Sequence, residues 1–183
     1  MTYVAYSGEI RLLLFDVDGV LTDGTLLVGP EGEIAKPFNV RDGLAVALLR
    51  AHGIRTGILS GKASAALTYR AEELDLDFAV MGQLDKVIAI VGVLESAGLS
   101  SSQVAYVGDD VVDLALIGRV GRFYAPADAH PLVLERADYV LSSRGGFGAG
   151  RETAEHLLLS SGMSMEECYA PLIGSWGAHN AVQ

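Results

Sequence analysis

The sequence predicts an α/β fold: a Rossmann-like, mostly parallel sheet with helices on both faces, plus a small β-hairpin inserted after the first strand. Short apolar runs alternate with segments of helical spacing along nearly the whole chain. The strand runs are continuously apolar, which is typical of strands buried on both faces of a parallel sheet. Hydrophobic residues make up 50% of the 183 residues, enough to supply the core of one such domain.

The elements are predicted in a regular order. An apolar run predicts the first strand at residues 11–15. Leu44, Leu48 and Leu49 then share one face of a helix that ends near Gly53. The later strands are expected at residues 54–59, 78–81, 104–107, 121–125 and 138–141. The later helices are expected at residues 63–74, 85–97, about 111–117, from about 130, and 149–159.

Two segments interrupt this alternation. Residues 25–28 and 33–38 flank a Gly-Pro-Glu-Gly sequence, which predicts a β-hairpin. Residues 160–183 contain Gly, Ser and Pro without a clear period, so we expect a tail that is loose or docked on a partner. The predicted organisation is one domain over residues 1–160, with its hairpin at about 24–38, and a C-terminal tail at 161–183.

Charge and composition exclude several classes of function. The formal net charge is −10, from 13 Lys and Arg against 23 Asp and Glu, which argues against a nucleic-acid partner. A single cysteine, Cys168, excludes an intramolecular disulfide and a cysteine-based zinc site. We expect no membrane span, because no apolar run approaches the ~18 residues that a span needs. The N-terminus lacks the features of a signal peptide, and the expected location is cytoplasmic.

Polar side chains gather where the predicted strands end. Asp16 and Asp18 follow the first strand, Ser60 follows the second, and Asp109 follows the strand at 104–107. The carboxyl ends of parallel strands meet at one edge of a sheet, where ligands bind. Clustered carboxylates repel one another unless a cation lies among them, and hard oxygen ligands suit Mg²⁺. An Asp-x-Asp-Gly sequence is also common in ordinary turns, so the motif alone leaves both interpretations open.

The spacing of these residues resembles a known family. Residues 16–24 resemble the first motif of the haloacid dehalogenase-like phosphatases, Ser60 the second, Lys86 the third and residues 108–113 the fourth. The resemblance covers roughly residues 10–160. Further segments resemble the capless branch that contains 3-deoxy-D-manno-octulosonate 8-phosphate phosphatase; they lie at residues 38–43, 127–131, 136–140 and 145–152.

The resemblance implies a Mg²⁺-dependent phosphomonoester hydrolase that acts on a small phosphorylated sugar acid in lipopolysaccharide biosynthesis. It implies a homotetramer in which the hairpins of four subunits come together and neighbouring chains help to close each active site. In this family Asp16 would be the nucleophile, and Asp18 would be the general acid and base. The metal ligands would be Asp16, the backbone carbonyl of Asp18, and Asp109.

The resemblance also assigns the phosphate-binding groups. Ser60 and the backbone N–H groups that follow it, at Gly61 and Lys62, would bind the phosphoryl oxygens. Lys86 would stabilise the charge that spreads over them. The family commonly has Thr-Gly-Arg where this chain has Ser60-Gly61-Lys62. Serine keeps the hydroxyl group, but lysine lacks the planar fork of arginine.

Other residues are expected around this centre. Asp110 and Asp113 would orient Lys86 or metal-bound water, although direct ligation by Asp110 is also possible on the residues alone. Arg70, Arg144 and Arg151 are candidates for binding the substrate's carboxylate, because the guanidinium group pairs with carboxylates in two parallel hydrogen bonds.

Three alternatives accompany the preferred eight-carbon substrate, 3-deoxy-D-manno-octulosonate 8-phosphate. Lys62 lies where the sugar would be recognised, so a nine-carbon keto-deoxy or N-acylneuraminate 9-phosphate is a competing substrate. The fold also resembles the C-terminal domain of animal CMP-sialate synthetases, a tetramerisation module that can lose catalysis. Here all five catalytic positions are filled, which favours an enzyme. Phosphoryl transfer within a sugar is disfavoured, because the hairpin is too short to shield an intermediate from water.

Overall fold

The computed structural model describes residues 5–180. Its strands are β1 (Leu12–Phe15), β2 (Leu27–Gly29), β3 (Gly32–Ala35), β4 (Arg55–Ser60), β5 (Phe78–Met81), β6 (Val104–Val107), β7 (Arg122–Ala125) and β8 (Tyr139–Val140). Its α-helices are α1 (Val40–Ala51), α2 (Ala65–Glu73), α3 (Lys86–Ala97), α4 (Pro131–Arg136), α5 (Ala149–Leu159) and α6 (Met165–Asn180). Within residues 5–180, no helix is long and apolar enough to cross a membrane.

Six of the strands form one sheet in the order β5-β4-β1-β6-β7-β8, and every neighbouring pair is parallel. The predicted α/β fold class is therefore confirmed. β1 lies between β4 and β6, with Phe15 opposite Ile58 on one side and Val107 on the other. The chain leaves β1 at the point where the strand order reverses, so the residue after Phe15 enters the crevice of the sheet.

The side chains of β1 alternate between two hydrophobic layers. Leu13 and Phe15 pack with buried residues of α1, α2, α5 and α6. Leu12 and Leu14 point to the opposite face and pack with α3 and α4. All four are at most 1% exposed. This two-residue period explains why β1 is apolar throughout: both of its faces are covered by helices.

The predicted hairpin is present as β2 and β3, an antiparallel pair outside the main sheet. It is short, and most of its apolar side chains are exposed, among them Leu26, Leu27, Val28 and Ile34. The hairpin therefore adds little to the core of this chain.

The structure differs from the sequence-based prediction at residues 111–117. The helix expected there is present at Val111–Leu116, but it is a 3₁₀ helix and not an α-helix. Asp110 and Asp113 form a capping box at its start, and the side chain of Asp113 also binds the preceding loop. The first turn of this segment is held by side-chain hydrogen bonds, and the segment contains two β-branched valines. It therefore has little tendency to form a longer α-helix.

The C-terminal segment is also more ordered than expected. Residues 165–180 form α6, where a loose or partner-docked tail was predicted; residues 181–183 lie outside the described part of the chain. The backbone N–H of Ser164 donates to Glu167 at 2.7 Å, and the N–H of Glu167 donates to the Ser164 hydroxyl at 3.3 Å. This reciprocal cap starts the helix. Cys168 and Leu172 are then buried on α1 and α5.

Candidate active site

Two neighbouring strand ends bring the predicted carboxylates together. Asp16 follows β1, and its backbone N–H donates to the carbonyl of Val107 at 2.9 Å. Asp109 lies two residues beyond β6, and Asp113 lies in the 3₁₀ helix after it. One carboxylate oxygen from each of these three aspartates lies within 4.8 Å of the other two. The parallel sheet thus assembles a cluster from residues almost a hundred positions apart.

Lys86 lies beside this cluster as the first residue of α3, whose N-terminus is capped by Asp85. It is 4% exposed. Its Nζ donates to Asp16 Oδ1 at 2.7 Å, to the carbonyl of Leu59 at 2.6 Å and to the hydroxyl of Tyr106 at 2.9 Å. These contacts use all three donors of the ammonium group and fix its position against the carboxylate of Asp16.

Asp113 and Tyr106 support this arrangement. The hydroxyl of Tyr106 donates to Asp113 Oδ1 at 2.6 Å, while Asp113 Oδ2 accepts from the backbone N–H groups of Asp109 at 3.1 Å and Asp110 at 3.2 Å. Both carboxylate oxygens of Asp113 are thus engaged by the protein, which supports the expected orienting role. Tyr106 was missed in the sequence, because a tyrosine within an apolar strand is usually a core residue.

The cluster carries uncompensated negative charge. Burial, followed by the charge of Asp113, raises the pKa of Asp16 to about 6, although the neighbouring Lys86 lowers it. Burial and the charges of Asp16, Asp113 and Asp110 raise the pKa of Asp109 to about 8. Both pKa values are raised because an ionised carboxylate is unfavourable where it is buried away from water and close to other carboxylates.

A divalent cation fits this cluster. Asp109 Oδ1 is buried and has no hydrogen-bond partner among the described residues. The neighbouring oxygens are carboxylates, the hard donors that Mg²⁺ prefers. Gly19 makes room for the Asp109 carboxylate: its φ is +90°, and a Cβ there would lie 2.1 Å from Asp109 Oδ2. Any larger residue at position 19 would displace that carboxylate.

Asp18 lies two residues after Asp16, and its side chain is 23% exposed. Its Oδ1 accepts a hydrogen bond from Lys36, which is carried on the hairpin just after β3. Its Oδ2 lies 3.9 Å from Nζ of Lys62. Lys36 was not predicted as a site residue; the one available signal was a lone cation at the end of an otherwise apolar and acidic hairpin strand.

The Ser60 loop offers the hydroxyl of a buried serine as a hydrogen-bond donor. Ser60 is 2% exposed, and its Oγ accepts from the backbone N–H of Lys62 at 3.2 Å, so the hydroxyl proton remains available to another acceptor. The side chain of Lys62 is 53% exposed. A Cβ at Gly61 would lie 3.1 Å from the side chain of Leu84.

Arg70 lies away from the carboxylate cluster, on α2. Its guanidinium pairs with Glu73 at 2.7 Å and lies 5.7 Å from the ring centre of Phe38. It faces an open groove of about 400 Å³ that also reaches Lys36 and the exposed ring of Tyr69. Because this groove adjoins the partner of Asp18, its position supports a role of Arg70 in recognising the substrate beyond the phosphate.

The other two predicted arginines are engaged by their own chain. Arg144 is 69% exposed and pairs with Asp128 at 3.0 Å. Arg151 donates to Glu155 at 2.8 Å and to the hydroxyl of Tyr169 on α6. Among the residues that the structure describes, neither arginine contacts Asp16. A role of Arg144 and Arg151 in substrate binding therefore stays a prediction.

The glycine run at residues 145–150 packs against the first motif. The backbone N–H of Gly146 donates to the carbonyl of Val20 at 2.9 Å. A Cβ at Gly145 would lie 1.8 Å from the carbonyl oxygen of Gly19. These glycines therefore permit close backbone contact with the loop that carries Asp16 and Asp18.

The sequence is similar to a family of hydrolases and to phosphatases of known substrate. Residues 79–146 match the family model for haloacid dehalogenase-like hydrolases. The 3-deoxy-D-manno-octulosonate 8-phosphate phosphatase KdsC of Escherichia coli K12 is 42% identical over 159 residues, which cover 87% of this chain and 85% of that protein.

Solved structures of phosphatases are similar to this chain over more than four fifths of its length. The cobalt-bound deoxy-D-mannose-octulosonate 8-phosphate phosphatase from Haemophilus influenzae is 40% identical with a TM-score of 0.82, covering 84% of this chain and 90% of that one. The 3-deoxy-D-manno-octulosonate 8-phosphate phosphatase from Moraxella catarrhalis is 36% identical with a TM-score of 0.79, covering 83% and 87%. That structure is a complex with a magnesium ion, a phosphate ion and a KDO molecule.

Proposed function

The chain belongs to the 3-deoxy-D-manno-octulosonate 8-phosphate phosphatase family of the haloacid dehalogenase-like hydrolases, and on that premise we propose that it hydrolyses this phosphorylated sugar acid. The observation that carries the proposal is the convergence of Asp16, Lys86 and Asp109 from three separate segments of the chain into one largely buried cluster. A nucleophilic carboxylate, a cation and a metal-binding carboxylate are what phosphoryl transfer to an aspartate requires.

Asp16 is the proposed nucleophile. Its pKa of about 6 leaves it mostly ionised at neutral pH, so it needs no base to attack. One of its oxygens forms a bond to phosphorus while the bond from phosphorus to the sugar oxygen breaks. Lys86 holds Asp16 in place and offsets negative charge on the transferring group, and the hydroxyl of Ser60 donates to a phosphoryl oxygen.

Asp18 is the proposed proton carrier. It gives a proton to the departing sugar oxygen, which leaves as an alcohol. In the second half of the reaction it takes a proton from water as the water oxygen attacks phosphorus. The bond between Asp16 and phosphorus then breaks, so phosphate leaves and the carboxylate of Asp16 is regenerated.

The proposed magnesium site consists of Asp16, the backbone carbonyl of Asp18, and Asp109. The unpartnered Oδ1 of Asp109 and the raised pKa values of Asp16 and Asp109 support it. When bound, Mg²⁺ supplies positive charge that draws phosphate and Asp16 together. Both oxygens of Asp113 already accept hydrogen bonds from protein donors, so its proposed role is to orient the surrounding groups.

The substrate can be tested with a panel of phosphate esters. We expect Mg²⁺-dependent phosphate release from 3-deoxy-D-manno-octulosonate 8-phosphate, with Asp16→Asn as the blank. The nine-carbon keto-deoxy and N-acylneuraminate 9-phosphates belong in the panel, because Lys62 replaces the arginine common in the family. The eight-carbon ester should have a kcat/KM at least about tenfold above the others. A preference for a nine-carbon ester would refute the substrate assignment, and no turnover at all would refute the enzyme.

We further propose a homotetramer that works in the cytoplasm, in lipopolysaccharide biosynthesis. The exposed apolar residues of the hairpin, Leu27, Val28 and Ile34, support an assembly, because they gain burial only against another chain. Light scattering on the purified protein should give four times the mass of the chain. A monomer at micromolar concentration would contradict this part of the proposal.

A further inference from the structure

All the lysines of this acidic chain meet at one place. The sequence contains three of them, Lys36, Lys62 and Lys86, and each has its amino nitrogen within 3.9 Å of Asp16 or Asp18. Lys86 and Lys62 belong to the phosphatase-like motifs. Lys36 does not: it comes from the hairpin, and no step of the proposed reaction uses it.

Lys36 is deeply buried for a charged residue of a small insertion. Its side chain is 2% exposed, and its ammonium group contacts Asp18 Oδ1 and, at 3.3 Å, Glu33 Oε2. Burying an ammonium ion is costly unless carboxylates compensate it. Glu33, in the same hairpin, provides local compensation. The contact with Asp18 reaches out of the hairpin to the loop after β1, so Lys36 holds a residue of the reaction centre in place.

The contact distinguishes the two oxygens of Asp18. Oδ1 is held by the buried ammonium of Lys36, while Oδ2 lies 3.9 Å from Lys62, beyond hydrogen-bonding distance. Lys62 is half exposed and adaptable. One oxygen is thus anchored, and the other is open toward the Ser60 loop, where the phosphate ester would lie.

We propose that Lys36 is a positioning residue for proton transfer: it anchors Asp18 Oδ1 so that Oδ2 faces the departing oxygen of the substrate. This inference rests on the proposed function, since it presupposes that Asp18 carries the proton. It places a requirement for catalysis on the hairpin, which is otherwise a poorly buried appendage of the fold.

Leaving-group dependence tests this role. A sugar alkoxide must be protonated as it departs, whereas the nitrophenolate of 4-nitrophenyl phosphate leaves without a proton. The parameter kcat/KM reports the steps up to release of the alcohol or phenol. If Lys36 acts through Asp18, Lys36→Met lowers kcat/KM for 3-deoxy-D-manno-octulosonate 8-phosphate by about tenfold or more, since general acids contribute ~10²–10⁴-fold. For 4-nitrophenyl phosphate, kcat/KM should stay within about twofold of wild type.

A double-mutant comparison adds a second criterion. Asp18→Asn removes the proton carrier and keeps the shape of the side chain. The pair Lys36→Met with Asp18→Asn should then be no slower on the sugar ester than Asp18→Asn alone, because Lys36 has nothing left to position. Glu31→Gln, at the exposed tip of the same hairpin, is the matched control and should change neither substrate's kcat/KM.

The outcomes separate this inference from the proposed function. Retained turnover of 4-nitrophenyl phosphate by Lys36→Met shows that the variant is folded, and Lys36→Gln should repeat its pattern. If both variants lose the same factor on both substrates, Lys36 merely holds the fold together and the inference is wrong. It is equally wrong if the double variant shows additive losses. If the wild-type protein does not hydrolyse the sugar ester, the proposed function itself fails.

Discussion

Tyr106→Phe removes one oxygen atom from the buried network that holds Lys86. That hydroxyl accepts from Lys86 Nζ at 2.9 Å and donates to Asp113 Oδ1 at 2.6 Å. Tyr106 is 0% exposed, so water cannot replace the lost partner. Phenylalanine keeps the ring and its packing against Phe123, whose ring centre is 5.6 Å away. The substitution therefore isolates the two hydrogen bonds.

The expected loss of stability follows from these contacts. Hydrogen bonds to charged groups contribute ~1.5–3 kcal/mol each, so breaking two could cost ~3–6 kcal/mol. Relaxation reduces this figure, because Lys86 Nζ already lies 3.4 Å from Asp113 Oδ1 and can move toward it. We expect a decrease of ~2–4 kcal/mol in the free energy of unfolding.

The same relaxation predicts a kinetic effect. As Lys86 moves toward Asp113, it moves away from Asp16 and from the charge that develops on the phosphoryl group. Since removing one such donor outright typically costs ~10²–10³ in kcat, a displaced one should cost ~10–100-fold. KM should change much less, because the lost interaction is made chiefly in the transition state.

Urea unfolding and steady-state kinetics with Mg²⁺ measure both quantities. Tyr124→Phe is the matched control. Tyr124 is also fully buried, on the neighbouring strand, and within residues 5–180 its hydroxyl lies 3.5 Å from Arg122 and 3.2 Å from His156, with no carboxylate or lysine partner. It should lose ~1 kcal/mol or less, with kcat unchanged. The reasoning would be refuted by a Tyr106→Phe variant whose stability and kcat both match those of the control.

Three further predictions concern the cluster and its supporting loop. Asp16→Asn should retain the folded transition in urea but release no phosphate; measurable turnover would exclude Asp16 as the nucleophile. In EDTA, the free energy of unfolding should fall as pH rises from about 4 to about 8. Folding raises the pKa of Asp109 from 3.8 to about 8, so in this range the folded protein holds a proton that the unfolded chain has already lost. Urea unfolding should show that Mg²⁺ removes this decline and that Asp109→Asn makes it smaller, leaving the part due to Asp16, whose pKa is about 6; a wild-type protein equally stable across this range in EDTA would contradict it. Gly145→Ala should cost ~1–3 kcal/mol, because its Cβ would lie 1.8 Å from the Gly19 carbonyl oxygen. Gly92→Ala, in α3, should gain ~0.5–1 kcal/mol in the same assay, because its Cβ would meet nothing within 4 Å outside its own stretch of helix.

The fold was accessible from the sequence because its signals are local and repeated. Strands buried on both faces leave continuous apolar runs, and parallel order follows from their alternation with helices. α6 escaped prediction for a physical reason. Its apolar residues Cys168 and Leu172 are at helical spacing, but Gly and Pro in the same stretch obscured them, and the stabilising surface is supplied by α1 and α5.

The site was accessible only in part. Asp16, Asp109, Ser60 and Lys86 follow from strand ends together with family resemblance, and the structure places carboxylate oxygens of Asp16 and Asp109 within 4.8 Å of each other and Lys86 in contact with Asp16. Lys36 could not be assigned in this way, because its partner Asp18 lies on a different element and no sequence period links them. The carboxylate-binding roles of the three arginines stay predictions, since their contacts are to their own chain.

The most direct test of the account is to trap the covalent intermediate. The wild-type protein would be mixed with Mg²⁺ and 3-deoxy-D-manno-octulosonate 8-phosphate carrying labelled phosphorus, quenched in acid during turnover and digested. We predict that the label is bound to the peptide that contains Asp16 and that it is absent from Asp16→Asn. Phosphate release without any protein-bound label, or label on a residue other than Asp16, would contradict the central claim.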